Sequence, residues 1–125
     1  MQQWILVAVA GGLGSCARYA VTLACARWSS FPWGTLVVNV VGSLALGFVL
    51  QALLMAELRP EWKLAVGTGF LGAFTTYSTF SVETLRLVEA GRMGAAMANV
   101  GGNLGLGLVG AGLGIALARA VVHSG

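Results

Sequence analysis

Apolar residues dominate the chain in four long runs, and the charged residues fall between these runs. A membrane-spanning helix needs roughly 20 consecutive, mostly apolar residues. Charges near Arg27, from Glu57 to Lys63 and from Arg86 to Arg92 separate the runs from one another. The pattern predicts four transmembrane helices, with spans at Trp4 to Ala26, Gly34 to Ala56, Leu64 to Ala90 and Gly94 to Ala118.

The third run carries an unusual polar segment, Gly67 to Phe80, which reads GTGFLGAFTTYSTF. It places glycines, hydroxyl side chains and aromatic rings inside an otherwise apolar stretch. Irregular or polar backbone at membrane depth is tolerated only where it is buried in protein or lines a wet cavity. The segment is therefore the first candidate for a permeation or binding site.

Composition agrees with a membrane protein. The 125 residues are 58% hydrophobic and only 9% charged, and the mean hydropathy is +0.87. Such values are too apolar for a soluble domain of this size. We expect residues 1–125 to form a single all-α transmembrane domain that leaves no room for a catalytic domain outside the bilayer. No basic run or aromatic platform suggests a nucleic-acid partner.

Asparagines form two helical stripes inside the predicted spans. Thr35, Asn39 and Ser43 share one face of the second span, and Asn99 and Asn103 are spaced four residues apart in the fourth. A carboxamide in lipid requires an interhelical hydrogen bond or a water-filled lining. Spacing alone leaves both interpretations open, but two stripes together with the polar third span favour a pore.

Basic residues are divided almost evenly between the two faces of the predicted bundle. One face holds Arg59, Lys63 and Arg119, and the other holds Arg18, Arg27, Arg86 and Arg92. Membrane orientation follows the bias of Lys and Arg in short loops. The near balance is compatible with dual topology, in which subunits insert both ways up. A single orientation decided by Arg18 and Arg27 is the alternative.

Two charged residues lie close to predicted spans and have more than one interpretation. Arg18, near the end of the first span, either extends to the interface or faces an aqueous vestibule. Glu83 lies a turn beyond Phe80, where it would be a gate, a proton carrier or an interfacial residue paired with Arg86. Spacing does not decide among these roles.

Three motifs occur in the first, second and third spans. They are Gly11-Gly12-x-Gly14-x-x-x-Arg18-Tyr19, Gly34-Thr35-Leu36-x-x-Asn39-x-x-Gly42, and Gly67-x-Gly69-Phe70-x-Gly72-x-x-Thr75-Thr76-Tyr77-Ser78-Thr79-Phe80-Ser81-x-Glu83. Together they resemble the Fluc or CrcB family of fluoride channels. The resemblance covers nearly the whole chain, and the three motifs in this order are highly specific.

The resemblance implies an antiparallel, dual-topology homodimer with two fluoride pores at the subunit interface and a central structural sodium ion. It also implies that the third helix is broken in its middle. In the family, backbone carbonyls from both subunits hold the sodium, and the matching positions here are Gly72 and Thr75. Carbonyl oxygens suit a hard cation, and an unwound glycine-rich stretch makes them available.

The resemblance also assigns the pore. Two family phenylalanines match Tyr77 and Phe80, so a tyrosine replaces one of them, and ring edges can accommodate an anion. Asn39 matches the pore asparagine, an N–H donor. The family's polar tracks match Ser78, Thr79, Ser81, Glu83, Asn99 and Asn103, with Gly107 where a serine is common. Arg18 matches a vestibule arginine, whose charge would raise the local anion concentration.

The implied function is passive, fluoride-selective export through the cell membrane, with sodium required but not transported. The alternative is a proton-coupled small multidrug exporter. That class needs a carboxylate inside the first span, whereas the acids here are Glu57, Glu61, Glu83 and Glu89. A structural subunit would show packing glycines without polar stripes. No combination of nucleophile, base and orienting partner suggests an enzyme.

Overall fold

The computed structural model describes residues 1–28, 30–57 and 59–123, and these residues form helices and no strands. The first helix, α1, spans Gln2–Cys25 and continues into a 3-10 turn at Ala26–Trp28; α2 spans Trp33–Met55. The prediction of an all-α fold is confirmed. Both helices begin and end within two residues of the predicted spans.

The third predicted span is made of several helical pieces. They are α3 at Pro60–Trp62, a π-helix at Lys63–Leu71, α4 at Gly72–Phe74 and α5 at Tyr77–Glu89. Thr75 and Thr76 have extended backbone, with ψ angles of 158° and 116°. The helical hydrogen bonding is therefore interrupted between α4 and α5, within the polar segment.

The last part of the chain is one long helical rod with a local change of winding. It comprises α6 at Met93–Gly101, a π-helix at Gly102–Leu106 and α7 at Gly107–His123. The rod extends beyond Ala118, where the apolar run was predicted to end. A π-helical insertion changes which residues face a neighbour, and here it includes Asn103.

Among the described residues, three helices are long and apolar enough to cross a membrane: Gln2–Trp28, Trp33–Met55 and Met93–Val122. The most extensive packing joins α2 to α7, while α1 packs on the first π-helix and on α4. A Cβ atom on Gly114 would collide with the carbonyl oxygen of Leu44. Only glycine permits α7 to approach α2 this closely, as small residues do between membrane helices.

Candidate functional site

The interruption between α4 and α5 is stabilised by the side chain of Asn39 on α2. The Thr76 N–H donates to Asn39 Oδ1 at 2.8 Å, and Asn39 Nδ2 donates to the Thr76 carbonyl at 3.0 Å. One carboxamide thus satisfies both backbone groups of a residue that has left the helix. In an apolar environment these groups would otherwise be costly.

Thr76 also begins the helix that follows. Its Oγ1 accepts a hydrogen bond from the Thr79 N–H at 3.3 Å and donates to Thr79 Oγ1 at 2.9 Å. A threonine side chain at this position is a common N-cap because it satisfies a free N–H of the first turn. The sequence Thr76-x-x-Thr79 therefore fixes where α5 starts.

These hydrogen bonds redirect two backbone donors. In an uninterrupted α-helix the Thr76 N–H would donate to the Gly72 carbonyl, and the Thr79 N–H would donate to the Thr75 carbonyl. Here both N–H groups bind side-chain oxygens instead. The carbonyls freed from their helical donors are the two that the family resemblance assigned to sodium.

Asn39 also reaches the last helical rod. Its Nδ2 donates to Asn103 Oδ1 at 2.8 Å. Asn103 Nδ2 in turn donates to the carbonyl and to the side-chain oxygen of Asn99, at 2.9 and 3.0 Å. The two predicted asparagine stripes are thus joined by hydrogen bonds. Asn99 has no exposed surface and Asn103 is buried, so both amides pair mainly within the protein.

A cavity of about 230 Å³ opens at the interruption. Its wall brings together predicted residues from three parts of the chain, and its lining includes Asn39, Thr75, Tyr77, Phe80 and Asn103. Gly42 and Ser43 lie on the same wall. A Cβ atom on Gly42 would collide with Thr75 Cγ2, so glycine is required for α2 to approach the interruption.

The two aromatic residues occupy different environments. Phe80 is buried at 8% exposure, while Tyr77 is 77% exposed. Their ring centroids are 5.8 Å apart and the ring planes are inclined at 55°. Both rings line the cavity, and the edge of an aromatic ring carries the positive part of its charge distribution.

A second cavity, of about 360 Å³, adjoins the first. It is lined by Arg18, Thr35, Thr76, Thr79 and Glu83, among others. Thr76 lies on the wall of both cavities. Glu83 Oε2 is buried and has no hydrogen-bond partner among the described residues. This is the only described cavity that places Arg18, Thr79 and Glu83 together.

A third cavity, of about 530 Å³, continues toward the helix ends. Thr35 and Glu83 line it as well as the second cavity, and Arg86 and Arg92 lie on its wall. Shared walls therefore connect three cavities from the loop-end arginines to the interruption. The linings are mainly apolar, but each contains polar or charged side chains, and an ion path through an apolar bundle requires such groups.

Not every predicted residue lines these spaces. Ser78 is exposed and Ser81 Oγ donates to the Tyr77 carbonyl at 3.0 Å. Neither residue, nor Gly72 or Asn99, lies on the wall of a described cavity. The structure brings the other predicted residues into two adjoining groups, around Asn39 and around Glu83.

Sequence reasoning missed two residues of this region. Thr76 was included in a motif but was not assigned a role, although the Thr-Thr pair after a glycine-rich helix is a usable N-cap signal. Thr84 was not identified at all. Its Oγ1 accepts from Asn99 Nδ2 at 2.9 Å and donates to the Phe80 carbonyl at 2.7 Å, and no local sequence pattern indicates the first of these bonds.

The comparisons with known proteins agree with the resemblance. A family model described as CrcB-like protein, Camphor Resistance (CrcB), matches residues 5–115. A protein of Acidobacterium capsulatum named Fluoride-specific ion channel FluC is 39% identical, over 96% of this chain and 98% of the relative. A protein of the same name from Syntrophotalea carbinolica is 45% identical, over 92% of this chain and 96% of the relative. Another, from Methylobacterium nodulans, is 41% identical, over 95% of this chain and 98% of the relative.

The family match covers most of the residues that form the helices and the connected cavities. Together with the three apolar helices of membrane-spanning length, it identifies a multi-pass membrane protein with no enzymatic activity. The chain belongs to the CrcB-like family.

Proposed function

We propose that this chain is a fluoride-specific ion channel that lets fluoride leave the cell passively through the cell membrane. The single observation that carries the proposal is the cavity at the interruption, whose wall is shared by two asparagines and two aromatic residues. Curated relatives with the same extent are named as fluoride-specific channels. A proton-coupled multidrug exporter is not favoured, because the first span contains no carboxylate.

Selectivity would follow from replacing the hydration shell of a small anion. Fluoride only accepts hydrogen bonds, so its partners must be N–H and O–H groups or the positive edges of rings. Tyr77 and Phe80 bring a hydroxyl and two rings to one wall. Asn39 and Asn103 bring amides to the same wall, and their N–H groups, which bind Thr76, Asn103 and Asn99 in this structure, would turn to the ion when it passes. A larger halide would fit and match this narrow set of donors less well.

The path would continue along Thr79 and Glu83 toward the arginines. Arg18 lies in the second cavity, and Arg86 and Arg92 lie in the third. Positive charge at the mouth of a low-dielectric passage raises the local concentration of anions. Ser78, Ser81 and Asn99 belong to the proposed polar tracks without lining a described cavity, and Glu83 is the proposed gating or transfer residue.

A second subunit is part of the proposal. The interruption is followed by exposed Tyr77, Ser78 and Thr79, and Gly72 before it is also exposed. The exposed hydroxyls and the backbone carbonyls freed at the interruption would find no partner in lipid, so another protein surface would cover them. An antiparallel homodimer with four spans per subunit, the third of them broken, supplies that surface and agrees with the even division of basic residues.

The residues present also fit the proposed sodium. The carbonyls of Gly72 and Thr75 have lost their helical donors to Asn39 and Thr76. Hard cations such as sodium prefer oxygen ligands of this type. Gly72 and Thr75 of two copies would hold the ion, whose charge would offset the cost of bringing anions into a low-dielectric interface.

The proposal is tested by fluoride efflux from liposomes containing the purified protein. A fluoride-selective electrode should record efflux that stops when the protein is omitted, and chloride should not replace fluoride. The same vesicles, loaded with an organic cation and given a pH gradient, test the exporter alternative. Absence of fluoride efflux from a monodisperse preparation would refute the proposed function.

A further inference from the structure

A single directed chain of hydrogen bonds runs from the interruption to α5. It has five links, each between 2.7 and 3.0 Å. We name it the amide chain, and in order of donation its members are Thr76 N–H, Asn39, Asn103, Asn99, Thr84 and the Phe80 carbonyl.

The direction of the amide chain is fixed by its two ends. The Thr76 N–H can only donate and the Phe80 carbonyl can only accept. Asn39 must therefore present its oxygen to Thr76 and its nitrogen to Asn103. The same logic passes from one amide to the next, so each carboxamide has one orientation that satisfies all of its neighbours.

Thr84 is the only hydroxyl in the amide chain, and it has two partners. It accepts from Asn99 Nδ2 and donates to the Phe80 carbonyl. Asn99 has no exposed surface, so water does not offer its amide nitrogen a substitute acceptor. Among the described residues, Thr84 Oγ1 is the only acceptor that the structure records for that nitrogen.

Loss of the Thr84 hydroxyl would disturb the amide at the cavity wall. Without that acceptor, the Asn99 amide nitrogen is buried and unpaired, and turning it toward Asn103 would place two N–H donors against each other. The Asn99 side chain can then relieve the unpaired nitrogen only by shifting, which moves the oxygen that accepts from Asn103 Nδ2. Asn103 is the direct partner of Asn39, so the shift reaches a residue that lines the proposed path.

We propose that Thr84 is a positioning residue for fluoride permeation: its hydroxyl holds the Asn99 side chain, and through Asn99 it keeps Asn103 and Asn39 in place on the wall of the first cavity. Thr84 lines no described cavity and acts only through its partners. This inference rests on the proposed function, since it concerns how the conducting wall is arranged.

The test measures fluoride efflux and fluoride-over-chloride discrimination in liposomes. Because a buried hydrogen bond is worth roughly 1 kcal/mol, we expect Thr84→Val to slow efflux about fivefold to tenfold and to reduce discrimination. Thr84→Ser is the matched control, because it keeps the hydroxyl and should restore both values. Normal discrimination in Thr84→Val, or equal losses in the serine and valine variants, would overturn the inference.

A double substitution shows whether Thr84 acts through Asn99. Asn99→Ala removes the donor of the same bond, so adding Thr84→Val to it should cause little further loss. Losses that multiply would overturn the inference. If Thr84→Val is not recovered as a monodisperse protein, Thr84→Ala removes the same hydroxyl and takes its place in both the single and the double substitution. An inactive unmodified protein would refute the proposed function itself, whereas normal efflux with an unaffected Thr84→Val refutes only the role of Thr84.

Discussion

The carboxamide of Asn39 forms both hydrogen bonds that a backbone partner would give Thr76, at 2.8 and 3.0 Å. A side chain on α2 thus completes the backbone of a residue between α4 and α5. The same carboxamide lines the cavity that contains Phe80. Asn39 therefore combines a structural role with the proposed role in conduction, and the interruption lies on the wall of the proposed ion path.

Replacing Asn39 by alanine should lower the stability of the folded protein and suppress fluoride efflux. The Thr76 N–H would lose its partner, and an unsatisfied buried polar group costs about 1–3 kcal/mol. Thermal unfolding in detergent and efflux from liposomes measure the two effects. Gln51→Ala is the control, because Gln51 is a carboxamide further along α2 for which no side-chain hydrogen bond is recorded in the described part of the chain. Wild-type efflux from Asn39→Ala would exclude Asn39 from the path.

Replacing Phe80 by leucine should reduce fluoride efflux about tenfold, since an aromatic contact is worth roughly 0.5–1.5 kcal/mol. Leucine is apolar and fills much of the same space, but it lacks the positive ring edge. Phe48→Leu on α2 makes the same chemical change at a half-buried position outside the described cavities. Unchanged efflux and chloride exclusion in Phe80→Leu would show that ring edges do not contact the ion.

Replacing Gly114 by alanine should destabilise the pair formed by α2 and α7. The added Cβ would collide with the Leu44 carbonyl oxygen and lie 2.7 Å from the Phe48 nitrogen, and overpacking typically costs about 1–3 kcal/mol. Gly112 lies on the same helix with nothing within 4 Å of its added Cβ. Gly112→Ala should be neutral or stabilising in the same unfolding measurement. Equal stability of the two variants would contradict the close approach of α7 to α2.

Neutralising Arg18 should lower efflux in a manner that depends on salt. At low ionic strength we expect Arg18→Gln to reduce efflux about twofold to threefold, because the arginine concentrates anions near the second cavity. Screening over about 10 Å at 0.1 M salt should shrink the difference. Arg119→Gln changes an exposed arginine of α7 and is the control. A reduction that persists unchanged at high salt would indicate a direct contact instead of long-range attraction.

Removing sodium should abolish fluoride efflux if the carbonyls of Gly72 and Thr75 hold the ion. The test replaces sodium with potassium or N-methylglucamine by dialysis against the chloride salt and then measures fluoride efflux. Returning sodium should restore the efflux. Backbone oxygens are the proposed ligands, so Thr75→Ser should keep the dependence on sodium. Full efflux after exhaustive exchange would remove the sodium from the proposal.

The sequence was enough to predict that the chain spans a membrane and to identify most of the polar residues that line the cavities. The helix ends of α1 and α2 lie close to the predicted spans because charged residues and glycine or proline limit each apolar run. Asn39 and Asn103 stood out because a carboxamide is rare and costly in an apolar helix. These signals are local in sequence and need no knowledge of packing.

Only the tertiary structure decided which amides face a cavity and which are enclosed. Asn99 has the same spacing signal as Asn103, yet it has no exposed surface and pairs with Thr84. Thr84 itself carries no local signal, since its second partner comes from another helix. Hydrogen bonds between residues distant in sequence depend on how the helices pack and on the π-helix that contains Asn103. The length of an apolar run and the cost of placing a carboxamide in lipid are instead properties of the sequence itself.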